Sequence, residues 1–153
     1  MTNTSVCLFI AQLGGLGKAH FAPGTVATIV AGIPSALLLS LVNKSWALLL
    51  LLLLFIGGCI VAHVAEHALQ KADPGEVVID ELIGFLITMF GLPVSFASLM
   101  LGIVSFRLLD IWKPWPIRFL DTKLKGGLGI MMDDVAAGLL AHAFVWAGLR
   151  IWS

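Results

Sequence analysis

Two pairs of adjacent acidic residues border apolar segments of this chain. Asp80 and Glu81 precede "LIGFLITMF", and Asp133 with Asp134 precede "VAAGLLAHAFVWAGL". A carboxylate beside apolar sequence is costly unless it is paired with a cation or binds a metal. Acids in a first helical turn can also cap a helix, which is the alternative for either pair alone. Because there are two pairs, and Asp110 adds a fifth acid, the pattern favours a site.

Carboxylate oxygens without a neighbouring cysteine are the ligands that a hard cation prefers. Mg²⁺ typically takes one or two carboxylates, together with water and phosphate oxygens. Cys7 and Cys59 lie in apolar surroundings, with no spacing typical of a disulfide framework or a zinc knuckle. We therefore predict that the two acidic pairs, Asp80, Glu81, Asp133 and Asp134, hold a hard cation such as Mg²⁺.

The segment "FRLLDIWKPWPIRFLD" lies between the acidic pairs and is rich in basic residues. Arg107 and Asp110 are three residues apart, so they can meet on a helix that must end near Pro114. One interpretation is attraction of a basic segment to anionic lipid. The other is that Arg107, Lys113 and Arg118 bind phosphate oxygens next to the metal, and the nearby acids favour it.

Two further motifs are less specific. In "FAPGT", Thr25 is a suitable N-cap after a Pro-Gly turn, and free N–H groups there could bind phosphate, although a plain capped turn is the alternative. "HVAEH" fits the inverted zinc-peptidase pattern, with His63, Glu66 and His67 as candidate residues. No third zinc ligand is evident, which argues against a zinc site. A zinc hydrolase is therefore kept only as an alternative function.

Composition indicates a membrane protein, since 59% of residues are hydrophobic, only 12% are charged and mean hydropathy is +1.04. Nine basic residues balance nine acidic ones, so net charge gives no indication of a nucleic-acid partner. The first residues lack the basic flank of a cleaved signal, and we expect them to be retained. Without repeats or a long linker, residues 1–153 are predicted to form a single domain whose oligomeric state the sequence does not specify.

Four apolar blocks, at residues 26–42, 46–65, 82–106 and 135–151, predict the membrane helices, since a span needs about 20 residues. Gly91 and Pro93 interrupt the third block, which is therefore either one kinked span or a helical hairpin. We predict an all-α integral membrane protein with about four to five hydrophobic helices and a possible hairpin at 82–106.

Charge distribution favours the hairpin. It would leave Lys44 and Arg150 on one side and collect the other basic residues with both acidic pairs on the opposite side, namely Lys18, Lys71, Arg107, Lys113, Arg118, Lys123 and Lys125. Basic residues collect on the cytoplasmic side of short loops. A small ion-binding or transport protein is a further alternative, but the acids lie at segment ends rather than along a path through the membrane.

The motifs "FAPGT", "DPGEVVIDELIG", "FRLLDIWKPWPI" and "GGLGIMMDDVAAG", in this order, resemble those of bacterial phosphatidylglycerophosphatase A. The resemblance covers about residues 14 to 142. It implies an all-helical, Mg²⁺-dependent phosphatase of the bacterial inner membrane. Such an enzyme removes the terminal phosphate of phosphatidylglycerophosphate, a phospholipid substrate in the bilayer, and leaves phosphatidylglycerol.

Residue by residue, the resemblance assigns the acidic pairs, the central Phe-Arg to Lys-Pro element and Gly84 to family motifs. It departs after Thr25, where the family commonly has Gly-Ser and this chain has Ala27 and Thr28. The expected mechanism places the metal and a cytoplasm-facing site at the acidic pairs, with Arg107 and Lys113 on the phosphoryl oxygens. Asp110 would orient Arg107 or act as a base, and direct attack by an aspartate stays open.

Overall fold

The computed structural model describes residues 3–152, which are all-helical without a strand. Asn43 and Ser95 begin two of the longer helices by accepting hydrogen bonds from backbone N–H groups of Ser45 and Ser98. The helices, in chain order, are α1 (Asn3–Ala11), a 3-10 segment (Leu13–Lys18), α2 (Pro23–Ala27), a π turn (Thr28–Gly32), α3 (Ile33–Ser40), α4 (Lys44–Leu69), α5 (Ile79–Met89), α6 (Phe96–Trp112), α7 (Ile117–Lys123) and α8 (Gly126–Trp152).

In this part of the chain, three helical runs are long and apolar enough to cross a membrane: Pro23–Ser40, Lys44–Leu69 and Gly126–Ile151. The first of them combines α2, the π turn and α3 without interruption. With the shorter α5 and α6 they make five apolar helices, which confirms the prediction of an all-α protein with four to five hydrophobic helices.

The third apolar block is divided into two helices, as the hairpin interpretation predicted. α5 ends at Met89 and α6 begins at Phe96, with Gly91 between them at a φ of 69°. Gly102 of α6 faces Met89, whereas Phe106 faces Gly84, so the two helices run antiparallel. At 11 residues and about 16 Å, α5 is too short to cross a bilayer by itself.

α5 is the central element of the fold. It packs against α3, α4, α6 and α8, and Ile83 and Phe85 on its different faces are fully buried. A helix that is apolar on all sides is stable only when it is surrounded by others. Only its first turn, with Asp80 and Glu81, introduces charge into this interior.

Small residues let α5 and α8 approach each other closely. A Cβ on Gly138 would overlap the backbone carbonyl oxygen of Gly84. The Thr88 hydroxyl donates to that carbonyl at 3.0 Å, and His142 Nδ1 lies 3.1 Å from the Thr88 carbonyl oxygen. Close backbone contact at small residues is a common basis for helix association in membranes.

One end of the helical assembly collects the polar loops and both acidic pairs. Gly24, the second residue of the first long run, lies beside Glu81 and Arg107, and Gly126 lies beside His63 near the end of α4. At the other end, Gly91 lies beside Lys44. The helices therefore alternate in direction, and both acidic pairs share one end, as the hairpin interpretation predicted.

Two expectations about helix starts were wrong. α8 begins at Gly126 rather than near residue 135, so Asp133 and Asp134 lie about two turns inside it. The helix extends because Gly127 packs directly on the α4 backbone, where a Cβ would overlap the Cys59 carbonyl oxygen. Thr25 is not an N-cap, because Pro23 already occupies the first helical position and Ala22 precedes it with a φ of 44°.

We predict that Gly138→Ala destabilises the protein by about 1–3 kcal/mol, because the added methyl group forces α5 and α8 apart. Thermal unfolding in detergent, followed by tryptophan fluorescence, measures the loss as a lower midpoint. Gly57→Ala is the matched control, since a methyl group added at this position would have no atoms of another helix within 4 Å. An equal loss in both variants would contradict the role of the Gly138 contact.

The alternation of the helices predicts that the start of α6 and the end of α7 lie on opposite sides of the membrane. Ala97→Cys and Lys123→Cys, each at an exposed position in a chain with Cys7 and Cys59 replaced by alanine, provide single labelling sites. In sealed vesicles, a membrane-impermeant maleimide should label one of these cysteines from outside and the other only after permeabilisation. Labelling of both from the same side would rule out the hairpin topology.

Candidate active site

Three carboxylates converge in the protein interior, at the end of the helical assembly that carries the polar loops. Asp80 and Glu81 come from the first turn of α5 and Asp134 comes from α8, and one oxygen of each lies within 4.8 Å of the other two. Asp80 is 8% exposed and Asp134 is 3% exposed. We call Asp80, Glu81 and Asp134 the acid cluster. It unites members of both acidic pairs, which lie far apart in the sequence.

Each member of the acid cluster has a buried oxygen without a hydrogen-bond partner, namely Asp80 Oδ1, Glu81 Oε2 and Asp134 Oδ2. Burial, and then the neighbouring charge of Glu81, raises the pKa of Asp80 well above its usual range. Burial also raises the pKa of Glu81, although its hydrogen bond with Asp80 and the charge of Arg107 oppose this. Buried carboxylates arranged in this way are stabilised by a cation, so these residues fit a divalent metal ion.

Gly24 forms a wall of the acid cluster. A Cβ at this position would overlap Glu81 Oε1 and would lie 2.9 Å from Arg107 Nη1. Only a residue without a side chain lets the start of α2 approach so closely. This contact accounts for the glycine of the "FAPGT" motif. Thr25, the predicted phosphate contact, follows it and is half-buried.

Arg107 is held beside the acid cluster by two acids. Its Nη1 donates to Asp110 Oδ2 at 2.6 Å and lies 3.7 Å from Glu81 Oε1. The predicted contact between Arg107 and Asp110, three residues apart on α6, is confirmed. Arg107 Nε is buried without a partner. The guanidinium therefore retains an unused N–H donor inside the site.

Lys113 forms a second charged group next to the acid cluster. Its Nζ donates to Asp133 Oδ2 at 2.5 Å and to Asp121 Oδ1 at 2.6 Å. Burial opposes the ammonium charge, but these two hydrogen bonds outweigh it and raise the pKa of Lys113 above its usual range. Asp133, a predicted metal ligand, is thus paired with Lys113, while its Oδ1 is buried without a partner.

Asp121 is a site residue that the sequence analysis did not select. It stands eight residues after Lys113, across the turn with Pro114 and Pro116, and no helical spacing connects the two. Arg118, by contrast, was predicted to bind phosphate and lies exposed on α7. Its role stays a prediction.

The zinc motif lies apart from the acid cluster. His63, Glu66 and His67 line an open cleft of about 970 Å³ near the end of α4, and the two imidazole rings are 4.5 Å apart between centroids. Within residues 3–152, the acid cluster is the only set of three or more potential ligands that converges. The motif therefore lacks the third ligand that a zinc hydrolase needs.

An all-helical membrane protein with carboxylates gathered beside an arginine and a lysine can bind a cation and a phosphate group together. Comparison of the sequence with known protein families agrees with this class of protein. The family model of phosphatidylglycerophosphatase A matches residues 9–149.

Alignments with individual relatives extend over most of the chain. A protein of Escherichia coli K12 described as phosphatidylglycerophosphatase A is 37% identical, over 86% of this chain and 77% of the relative. A Haemophilus influenzae protein with the same description is 36% identical, over 90% of this chain and 85% of the relative. A Bacteroides thetaiotaomicron protein, provisionally described as a phosphatidylinositol-3-phosphatase, is 32% identical over 90% and 89%. No solved structure matches significantly.

The chain belongs to the phosphatidylglycerophosphatase A family. It is therefore a phosphatase of lipid metabolism, and the resemblance inferred from its motifs is confirmed. Its three long apolar helices are consistent with a membrane protein.

We predict that Mg²⁺, added after chelation, raises the midpoint of thermal unfolding through the acid cluster. Binding to the folded state alone stabilises by about 2.7 kcal/mol at 100 times the Kd. Asp134→Asn should abolish this response and raise the metal-free midpoint, because one repelling buried carboxylate is removed. Glu66→Gln, an acid outside the cluster, should respond like the native chain. A full Mg²⁺ response in Asp134→Asn would exclude the cluster as the metal site.

Proposed function

We propose that the protein hydrolyses the terminal phosphate of phosphatidylglycerophosphate in a Mg²⁺-dependent reaction. The observation that carries the proposal is the acid cluster, with three unpartnered buried oxygens next to Arg107. A phosphomonoester brings two negative charges, which this set of acids can bind only through a cation. The combination of carboxylates with basic residues therefore favours a metal-dependent phosphatase over an ion carrier.

Asp80, Glu81 and Asp134 would hold Mg²⁺. When bound, Mg²⁺ supplies a Lewis acid for a phosphoryl oxygen and lowers the pKa of a bound water. Asp133 remains a proposed ligand, because its unpartnered Oδ1 is buried and the residue adjoins Asp134 in the sequence. Oxygen ligands favour Mg²⁺ over softer metals.

Arg107 and Lys113 would neutralise the phosphoryl oxygens as charge redistributes in the transition state. Phosphoryl transfer depends mostly on positioning and on electrostatic stabilisation, so fixed donors contribute strongly. Asp110 keeps Arg107 in place through the 2.6 Å hydrogen bond, and serves as its orienting partner or as a base. Arg118 and Thr25 are proposed as additional phosphate contacts.

The nucleophile is either water or a carboxylate of the site. Water attack needs a base, and a carboxylate of the site that does not bind the metal would serve as one. Attack by an aspartate would break the bond between phosphorus and the glycerol oxygen, release phosphatidylglycerol and form an acyl-phosphate, which water then hydrolyses to phosphate and the free carboxylate. Burial serves both routes, because excluding bulk water strengthens electrostatic interactions at the reacting phosphate.

The bacterial cytoplasmic membrane is the proposed location, with several membrane passes and the site on the cytoplasmic side. Seven basic residues belong to the end that carries the site, whereas Lys44 and Arg150 belong to the opposite end. This distribution follows the positive-inside rule. The acyl chains of the substrate can then stay in the bilayer, which explains why a phosphatase for a small headgroup is itself embedded.

The test is phosphate release from phosphatidylglycerophosphate in detergent, with Mg²⁺ or Zn²⁺ added after chelation. We expect Mg²⁺-dependent turnover that falls by at least about a hundredfold in Asp80→Asn and Asp133→Asn, because each loses a charge at the site. His63→Ala should retain native turnover, since this residue belongs to the separate cleft.

Three results would contradict the proposal. A folded native chain without turnover would favour the transport alternative, and restoration by Zn²⁺ that depends on His63 would favour the zinc hydrolase. Greater turnover of phosphatidylinositol 3-phosphate than of phosphatidylglycerophosphate would instead indicate the substrate for which the Bacteroides relative is named. Phosphatidic acid serves as the lipid comparison, because it has a monoester phosphate without the second glycerol.

A further inference from the structure

We infer that Asp121, on the short helix α7, is a positioning residue that fixes the ammonium group of Lys113 for the substrate phosphate. The inference rests on the proposed function, in which Lys113 contacts the phosphoryl oxygens. Its basis is geometric, since Lys113 Nζ lies 2.6 Å from Asp121 Oδ1 and 2.5 Å from Asp133 Oδ2. Three elements, α6, α7 and α8, thus meet at one ammonium group.

A lysine needs such support more than an arginine does. Its ammonium is a point charge on a flexible stem of four carbons, and fixing it costs considerable rotamer entropy. Lys113 stands at the end of α6 with a left-handed φ of 45°, and its N–H donates to the Leu109 carbonyl oxygen at 2.9 Å. The backbone is therefore fixed, whereas the position of Nζ depends on the carboxylates around it.

The donor count leaves a place for substrate. An ammonium group has three N–H donors, of which Asp121 and Asp133 use two. The third donor is available to a phosphate oxygen without loss of either carboxylate. With Asp133 alone, the ammonium could rotate about a single hydrogen bond, so Asp121 supplies the second fixed direction.

The placement of Asp121 follows from the packing of α7. Ile117 is fully buried, and α7 packs against α8. Asp121 follows Ile117 by four residues, so both lie on the same helical face. Burial of Ile117 therefore directs Asp121 toward α8 and Lys113, although the Asp121 side chain is exposed. The same burial explains how a helix of only seven residues contributes to the site.

The test compares Asp121→Asn, Asp121→Glu, Lys113→Gln and the double variant Asp121→Asn with Lys113→Gln. With phosphatidylglycerophosphate and Mg²⁺, Asp121→Asn should lower kcat about tenfold with KM within about twofold, as expected for lost alignment in the transition state. Asp121→Glu should recover most of kcat. In the Lys113→Gln background, Asp121→Asn should cause no further loss, because the two residues act as a unit.

Asp73→Asn is the matched control. The charge of Asp73 also acts on Asp133, but within residues 3–152 it forms no ion pair with Lys113. Asp73 has a φ of 45°, which asparagine tolerates. The kcat of the Asp73→Asn variant should equal that of the native chain. All variants are first compared by thermal unfolding in the same detergent, so that a folding defect is recognised.

Native kcat in Asp121→Asn would overturn the inference, as would losses that multiply in the double variant or an equal loss in Asp73→Asn. Failure of Asp121→Glu to recover kcat would also count against it, because a positioning role requires only a carboxylate within reach. Turnover by the native chain tests the proposed function, whereas the ratios among the variants test the role of Asp121. The two ideas can therefore fail separately.

Discussion

The main physical constraint on this structure is that several carboxylates are held together in an apolar interior. Asp80, Glu81 and Asp134 repel one another, and burial deprives each of water. Such a cluster is stable only beside positive charge and inside a rigid frame. Arg107 provides part of that charge, and the unpartnered oxygens show where a cation would contribute the rest. Stability and metal binding are therefore linked at the same residues.

Glycine makes the rigid frame possible. Gly84 and Gly138 bring α5 and α8 into backbone contact, and Gly24 lets α2 reach Glu81. With larger residues the helices would separate, and carboxylates on different helices could no longer approach the same point. The packing that holds α5 in the centre also brings the acids to within a few ångströms of one another.

The basic residues divide their functions between structure and chemistry. Arg107 connects the end of α6 to the start of α5, and Lys113 connects it to α7 and α8. Each uses only part of its donor capacity in doing so. A phosphate that enters this end would find donors already oriented, which reduces the reorganisation needed during the reaction. Membership of a phosphatase family agrees with this arrangement.

Features that depend on local chemistry could be predicted from the amino-acid sequence. Apolar blocks predicted the helices, Gly91 and Pro93 predicted the break between α5 and α6, and the spacing of Arg107 and Asp110 predicted their ion pair. Motif order was enough to indicate the family. These inferences succeed because helix periodicity, proline geometry and side chains one turn apart depend on neighbouring residues only.

Which charges meet, in contrast, is set by the packing of whole helices. Asp134 joins the acid cluster, whereas Asp133 next to it is paired with Lys113, because successive residues on a helix point about 100° apart. The early start of α8 and the contribution of Asp121 likewise depend on packing against α4 and α8. Contacts between distant segments follow from how the helices fit together, and no local spacing encodes that fit.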